Sequence, residues 1–137
     1  AVAEAGTALK EAGARRVLPL KVSGPFHSPM MRPAGEELAK VFARVSMNPL
    51  KIPYVANINE EVITDCGRIE GLLVDQISGS VRWQQSVENM IAKGVDTFVE
   101  IGPGKTLAGF MKRINKEVRM VNIGSVEDLE KAVELLI

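Results

Sequence analysis

The 137-residue sequence has one cysteine, Cys66, and one histidine, His27. A single cysteine excludes an internal disulfide and every metal site built from several cysteines. With one distant histidine it leaves no ligand set for a metal, so we expect neither a metal nor another cofactor. Aromatic residues make up only 4% of the chain. No apolar run reaches the roughly 18 residues of a membrane-spanning helix, which argues against a membrane partner.

An excess of either charge is also missing, since 17 Lys and Arg residues balance 17 Asp and Glu residues. Proteins dedicated to nucleic acids normally carry a basic excess, so that class is disfavoured, although a local basic patch is not excluded. Apolar residues at 46% and charged residues at 25% are typical of a packed globular chain. The length suits one domain or part of a larger one.

The first segment predicts a helix over residues 1–13 that Gly13 ends. Its apolar residues recur every three or four positions, at Val2, Ala5, Leu9 and Ala12. No Ser, Thr, Asp or Asn precedes it as an N-cap, and residue 1 is Ala rather than Met. We therefore expect a piece of a longer protein rather than a trimmed but complete domain.

The next segments mix short strands with helices. Residues 15–22 are extended but interrupted by Pro19, which favours an edge or irregular strand. Ser28 and Pro29 resemble a helix start after a Gly-Pro loop. The predicted helix runs to about Val45, with one apolar face formed by Ala34, Leu38, Val41, Phe42 and Val45. A short buried strand over 52–57 and helices over 68–77 and 83–93 follow.

The last third predicts a strand at 97–101, a helix at 105–115, a strand at 119–123 and a helix at 126–136. Strand–helix–strand–helix order with short turns implies parallel strands joined by right-handed crossovers. The fold class is therefore α/β with a parallel sheet.

His27 is the strongest candidate for chemistry. Lone histidines are more often structural, but this one lies in a Gly-Pro loop and follows Phe26, which could form one wall of a pocket. A neutral imidazole is what a general base needs. No serine lies in a Gly-x-Ser-x-Gly elbow, and Cys66 in its polar stretch is typical of a loop or helix-start cysteine. The sequence thus offers a base without a nucleophile.

Three other features leave alternatives open. Gln76 projects from an apolar helix face, either satisfying nearby backbone or positioning another catalytic group. Residues 104–106, Gly-Lys-Thr, suggest a phosphate loop, but that motif requires glycine at position 99 and the chain has Val99. A basic cluster forms either a solvated face or a patch for an acidic protein or phosphate group, and its members are Lys105, Lys112, Arg113, Lys116 and Arg119.

Four ordered motifs resemble the malonyl-CoA:acyl carrier protein transacylases of fatty acid synthesis. The first is Ser23-Gly24-Pro25-Phe26-His27-Ser28-Pro29-Met30-Met31-Arg32-Pro33-Ala34. The others are Pro53-Tyr54-Val55-Ala56-Asn57-Ile58-Asn59, Gln76-Ile77-Ser78-Gly79-Ser80-Val81-Arg82-Trp83 and Phe98-Val99-Glu100-Ile101-Gly102-Pro103-Gly104-Lys105. Each is weak alone, but their order along almost the whole chain is specific.

The resemblance implies the C-terminal part of an α/β-hydrolase-like acyltransferase subdomain, together with the tail of a small ferredoxin-like subdomain. By this similarity residues 1–20 end the small subdomain and residues 21–137 belong to the large one. The nucleophilic serine and the arginine that pairs with the malonyl carboxylate lie earlier in such enzymes, so this chain lacks both.

The resemblance also implies roles for six residues. His27 would be the general base, Gln76 would orient it through its backbone carbonyl, and Phe26 would contribute to malonyl selectivity. Arg15, Lys112 and Arg113 match positions implicated in docking the acidic carrier protein. The implied partners are malonyl-CoA, acyl carrier protein and the missing N-terminal part of the same enzyme, in the cytoplasm.

Two other interpretations are open. The chain could be a carrier-protein binding module without catalysis, in which His27 is irrelevant. It could also come from the acyltransferase domain of a polyketide synthase, whose chemistry is the same, although the Gly-Pro-Phe-His form favours the free-standing fatty-acid enzyme.

Overall fold

The computed structural model describes residues 1–19 and 22–136. Short 3₁₀ turns at Pro29–Met31 and Cys66–Arg68 precede two of the helices. In chain order the elements are α1 (Val2–Glu11), α2 (Arg32–Phe42), β1 (Tyr54–Val55), β2 (Val62–Ile63), α3 (Ile69–Ser78), α4 (Trp83–Ala92), β3 (Thr97–Ile101), α5 (Thr106–Ile114), β4 (Arg119–Ile123) and α6 (Val126–Leu136). None of the helices in the described ranges combines the length and hydrophobicity that crossing a bilayer requires.

Strands β3 and β4 form a parallel pair, as the sequence predicts. Their register runs from Thr97 opposite Arg119 to Ile101 opposite Ile123. Helix α5 connects them, and α5 and α6 both pack against β4. Met111 of α5 and Ala132 of α6 are buried with Ala108 and Val87, so the core of this half lies between the strands and helices α4–α6.

Helices α2 and α3 pack closely because α2 carries Gly35 at the contact. A Cβ atom there would lie 3.2 Å from the carbonyl oxygen of Val74 in α3. The predicted apolar face of α2 is only partly right. Leu38 and Phe42 are half-buried, but Ala34, Val41 and Val45 are exposed, and the helix ends at Phe42 rather than Val45.

The strand predicted over 52–57 is shorter in the structure, where only β1 forms, and β1 pairs antiparallel with β2. Sequence patterns miss β2 because two apolar residues between polar neighbours are too short for a recognisable alternation. Ile63 of β2 and Ala56, just after β1, are among the most buried residues. The turn between them contains Glu60 at a φ of 53°.

The edge or irregular strand predicted over residues 15–22 is wrong for the residues that can be assessed. Residues 15–19 and 22 form no strand pairing, while Leu20 and Lys21 lie outside the described residues. Pro19 lacks a backbone N–H and so cannot donate to a ladder. Helix α1 is confirmed, and Gly13 follows it at a φ of 95°. The predicted subdomain boundary at residue 20 stays a prediction.

Candidate active site

His27 occupies a strained position in a closed loop. Its φ of 57° lies in the left-handed region, which is uncommon for any residue with a side chain. The hydroxyl of Ser28 donates to the carbonyl oxygen of Pro25 at 2.7 Å and so ties the loop around the histidine. Ser28 precedes the turn Pro29–Met31 at its N-cap position, but its side chain does not cap it. The loop presents His27 at the surface.

A long-range hydrogen bond orients the imidazole. Nδ1 of His27 lies 2.9 Å from the carbonyl oxygen of Gln76, a residue 49 positions later in the chain. Because a carbonyl oxygen only accepts, Nδ1 carries the hydrogen in this contact. In the neutral ring Nε2 then holds a free lone pair, which is the arrangement of a proton acceptor. The structure brings together the two residues that the sequence singles out.

The end of α3 supplies this carbonyl. The last four carbonyl groups of a helix have no partner within it. The amide N–H of Gly79 donates to the carbonyl of Asp75 at 2.9 Å, and the imidazole takes the carbonyl of Gln76. The C-terminal end of a helix carries partial negative charge. It therefore stabilises the positive charge that the ring gains when Nε2 accepts a proton, though less than a carboxylate does.

Phe26 lies immediately before the histidine, and its ring covers Gly24. A Cβ at position 24 would touch ring carbons of Phe26 at 3.5 Å. The side chain is 56% exposed. The role of Phe26 as a pocket wall and its role in substrate choice both stay predictions.

The side chain of Gln76 plays no part in the contact with His27. Its Oε1 atom is buried and finds no hydrogen-bond partner among the described residues. Trp83 Nε1 and Ser86 Oγ are buried and unpartnered in the same part of the chain. The amide thus projects inward, as its position on an apolar helix face predicts.

The three residues predicted to dock a carrier protein are all exposed. Arg15 lies in the segment after α1, whereas Lys112 and Arg113 lie in the last turn of α5. Arg113 also lines a cavity of about 310 Å³ with Trp83 and Phe110. Basic residues in a last helical turn also complement the helix dipole, so their position alone does not demonstrate docking.

In the turn between β3 and α5 the chain's own carboxylate, that of Glu100, lies at the N-terminus of α5, the position that favours an anion. Glu100 accepts from the amide N–H groups of Leu107 at 3.1 Å and Ala108 at 3.0 Å, and from Nδ2 of Asn122 at 2.7 Å. The N–H of Ala108 above all, then those of Leu107 and Asn122, holds the pKa of Glu100 below its usual range. Gly102 and Gly104, at φ values of 134° and 98°, let the chain turn back.

Sequence analysis misses this role of Glu100. The feature that could have indicated it is an acidic residue in the strand before a helix whose own N-cap residue does not cap it. That N-cap residue is Lys105, which makes no side-chain capping bond. In residues 1–19 and 22–136, no hydroxyl group hydrogen-bonds to His27, and no three His, Cys, Asp or Glu side chains cluster as a metal site.

Comparison with protein-family models finds no match. The malonyl CoA-acyl carrier protein transacylase of Bacillus subtilis is 39% identical over 127 residues, which cover 93% of this chain and 40% of that protein. The acyl-carrier-protein S-malonyltransferase structure of Bartonella henselae superimposes with a TM-score of 0.90 at 38% identity, covering 98% of this chain and 43% of that one.

A second similar structure is a malonyl transacylase in complex with its type II polyketide synthase acyl carrier protein. It has a TM-score of 0.89 at 36% identity and covers 98% of this chain and 43% of the transacylase. The predicted fold class, part of an acyltransferase with a parallel sheet, is confirmed. In sequence and fold the chain is similar to the malonyl-CoA:acyl carrier protein transacylases, and it spans about two fifths of the length of the curated relatives it matches.

Proposed function

We propose that this chain supplies the general base and part of the acyl pocket of a malonyl-CoA:acyl carrier protein transacylase. The nucleophilic serine and the arginine for the malonyl carboxylate would come from the remainder of the enzyme. The proposal places residues 1–20 at the end of the small subdomain and residues 21–137 in the large one. It also includes a cytoplasmic location, where a free thiol such as Cys66 is usual.

One observation carries the proposal, namely the 2.9 Å contact between His27 Nδ1 and the carbonyl oxygen of Gln76. The contact leaves Nε2 free on an exposed ring, where a hydroxyl from the remainder of the enzyme would reach it. A histidine whose ring is held by the carbonyl at a helix end is oriented for proton transfer.

In the first half-reaction Nε2 of His27 takes the serine hydroxyl proton while the serine oxygen attacks the malonyl thioester carbonyl. The tetrahedral adduct collapses, the carbon–sulfur bond breaks, and the coenzyme A sulfur leaves with the proton from His27. In the second half, Nε2 takes the thiol proton of the carrier's phosphopantetheine. The sulfur attacks the malonyl-serine ester, and the serine oxygen leaves with that proton.

Phe26 and the three basic residues complete the proposal. The exposed face of Phe26 would limit the space beside the malonyl α-carbon, which favours malonyl over branched analogues. Arg15, Lys112 and Arg113 would attract the acidic carrier protein, because opposite charges across a surface speed encounter. The transacylase solved with its carrier protein supports this choice of partner.

The test uses a completed enzyme, in which this chain replaces the matching part of the Bacillus subtilis relative. We expect the completed enzyme to transfer labelled malonyl from coenzyme A to carrier protein and the isolated chain to transfer none, because a base without its nucleophile has no substrate hydroxyl to activate. His27→Ala in the completed enzyme should reduce transfer about 100-fold to 10,000-fold.

Clear turnover by the isolated chain would contradict the proposal. So would normal transfer by the His27→Ala variant, which would favour a binding module in which the histidine has no role. A matched control is Lys10→Ala on exposed α1, which should leave transfer unchanged.

A further inference from the structure

The turn formed by residues 57–60 is bound to helix α4 at three points. The guanidinium of Arg82 lies 3.0 Å from the carboxylate of Glu60, and the side-chain amide of Asn89 donates to the carbonyl of Glu60 at 2.6 Å. The backbone N–H of Arg82 donates to the carbonyl of Asn57 at 2.8 Å. Together these bonds hold Glu60 at its unfavourable φ of 53°.

The same turn places Ile58 directly against Gly79, the residue that follows α3. A Cβ atom at position 79 would overlap the δ-methyl group of Ile58 and would lie 3.0 Å from the carbonyl oxygen of Asp75. Gly79 has an extended conformation with a φ of −92°, which any residue adopts. Glycine is therefore needed here for space and not for backbone freedom.

Gly79 closes the helix end that holds the histidine. Its N–H donates to the carbonyl of Asp75 at 2.9 Å, and the next carbonyl along the helix, that of Gln76, accepts from His27. A displacement of the helix end at Gly79 therefore moves the group that orients the imidazole.

We propose that Ile58 and Gly79 form a size-matched positioning pair for His27. The inference rests on the proposed function only for its effect on catalysis. Neither residue touches the reacting atoms. The δ-methyl of Ile58 occupies the space that the missing side chain of Gly79 leaves, and this packing sets where the end of α3 stops against the bound turn.

The effect of a methyl group at position 79 depends on how its two neighbours, the side chain of Ile58 and the carbonyl of Asp75, respond to it. The overlap with the δ-methyl of Ile58 is the larger conflict, and the 3.0 Å approach to the backbone carbonyl of Asp75 adds a smaller one. Because the turn that carries Ile58 is bound to α4, relief of the overlap displaces the end of α3, and the carbonyl of Gln76 moves with it. A misplacement of about 1 Å at a catalytic group costs on the order of 100-fold in rate.

The test compares Gly79→Ala, Ile58→Val and the double variant in the completed enzyme and in the isolated chain. Gly71→Ala is the matched control, because it adds the same methyl group to α3 where nothing lies within 4 Å. The readouts are kcat and KM in the completed enzyme and the ¹⁵N spectrum of the imidazole in the isolated chain, where His27 is the single histidine.

We expect Gly79→Ala to lower kcat roughly 10-fold to 100-fold with KM for malonyl-CoA unchanged, and to reduce the share of the Nδ1–H tautomer. Ile58→Val removes the overlapping methyl, so the double variant should recover most of both losses. Gly71→Ala should match the parent protein in every readout.

A Gly79→Ala variant with parental kcat and spectrum would overturn the inference, as would a double variant no better than Gly79→Ala. Loss of the helical circular dichroism signal in Gly79→Ala with no recovery in the double variant would also overturn it. If the unsubstituted completed enzyme transfers no malonyl, the proposed function fails, while the tautomer measurements still decide whether the pair positions His27.

Discussion

At His27, backbone strain and a long-range hydrogen bond act on the same residue. A left-handed conformation costs a residue with a side chain about 1 kcal/mol or more, and it persists only where the surroundings hold it. The Ser28–Pro25 bond and the Gln76 carbonyl provide that support. The sequence identifies His27 and Gln76 as candidates, but the 2.9 Å contact joins residues 49 positions apart and depends on how α3 ends beside the loop.

The two partners in this contact should respond differently to substitution. Gln76→Ala keeps the backbone carbonyl and removes a buried, unpartnered amide oxygen. We expect transfer by the completed enzyme to fall less than about tenfold, against the 100-fold or greater loss for His27→Ala. Equal losses in the two variants, measured as kcat, would mean that the Gln76 side chain and not its carbonyl supports the base.

Charge reversal tests the proposed docking residues. Lys112→Glu and Arg113→Glu should raise KM for the carrier protein several-fold and make it less sensitive to salt, because exposed charges act mainly on encounter. The half-reaction with malonyl-CoA should not change. Lys10→Glu, which reverses an exposed charge on α1, is the control. Unaltered KM for the carrier protein in both α5 variants would remove this part of the proposal.

Among the elements, β3, β4 and α6 match their predicted bounds because strong periodic patterns and short turns define them. The antiparallel pair β1–β2 and the end of α2 differ from their predicted bounds. Two-residue strands and helix ends contain too few residues for a clear hydrophobic periodicity. The capping of α5 by Glu100 is also hard to predict from local sequence. Like the histidine contact it joins residues from different elements, because the strand and the helix meet only after the chain turns through Gly102 and Gly104.

The cap gives α5 a stability that depends on pH. Hydrogen bonds from Ala108, Leu107 and Asn122 lower the pKa of Glu100 in the folded chain, so the stabilisation is present above the ordinary glutamate range of about 4.3 and is lost as the pH falls through the lower folded value. Glu100→Gln should therefore reduce the free energy of unfolding at pH 7 and differ less from the parent below pH about 4.

Urea unfolding of both proteins at several pH values measures that difference. Asp128 titrates in the same direction, because the N–H of Gly124 and then the Ser125 hydroxyl lower its pKa. The comparison with Glu100→Gln isolates Glu100, since Asp128 is present in both proteins. A difference between the two that stays constant from pH 7 to pH 3 would contradict the account.

On the scale of the whole molecule, the described structure leaves apolar surface uncovered. Within residues 1–19 and 22–136, β3 and β4 pair only with each other, and Ile101 at the end of β3 is 78% exposed. Parallel sheets are normally covered on both faces and wider than two strands. The sequence predicts the parallel pair, but not which apolar side chains of the pair stay exposed.

The isolated chain should therefore self-associate and bind a hydrophobic dye such as ANS. Ile101→Lys should reduce both effects, because it places a charge on the open surface at the end of β3. Light scattering across a range of concentrations measures the association. An isolated chain that stays monomeric at every concentration and binds no ANS would contradict the expectation that the exposed apolar surface drives association.

The Gln76 carbonyl commits the imidazole hydrogen to Nδ1 and leaves Nε2 to accept a proton. The ¹⁵N spectrum of the single histidine tests it directly at a pH where the ring is neutral. We expect a protonated Nδ1 and an unprotonated Nε2, the reverse of the form that free histidine favours. A ring that carries its hydrogen on Nε2 would contradict it.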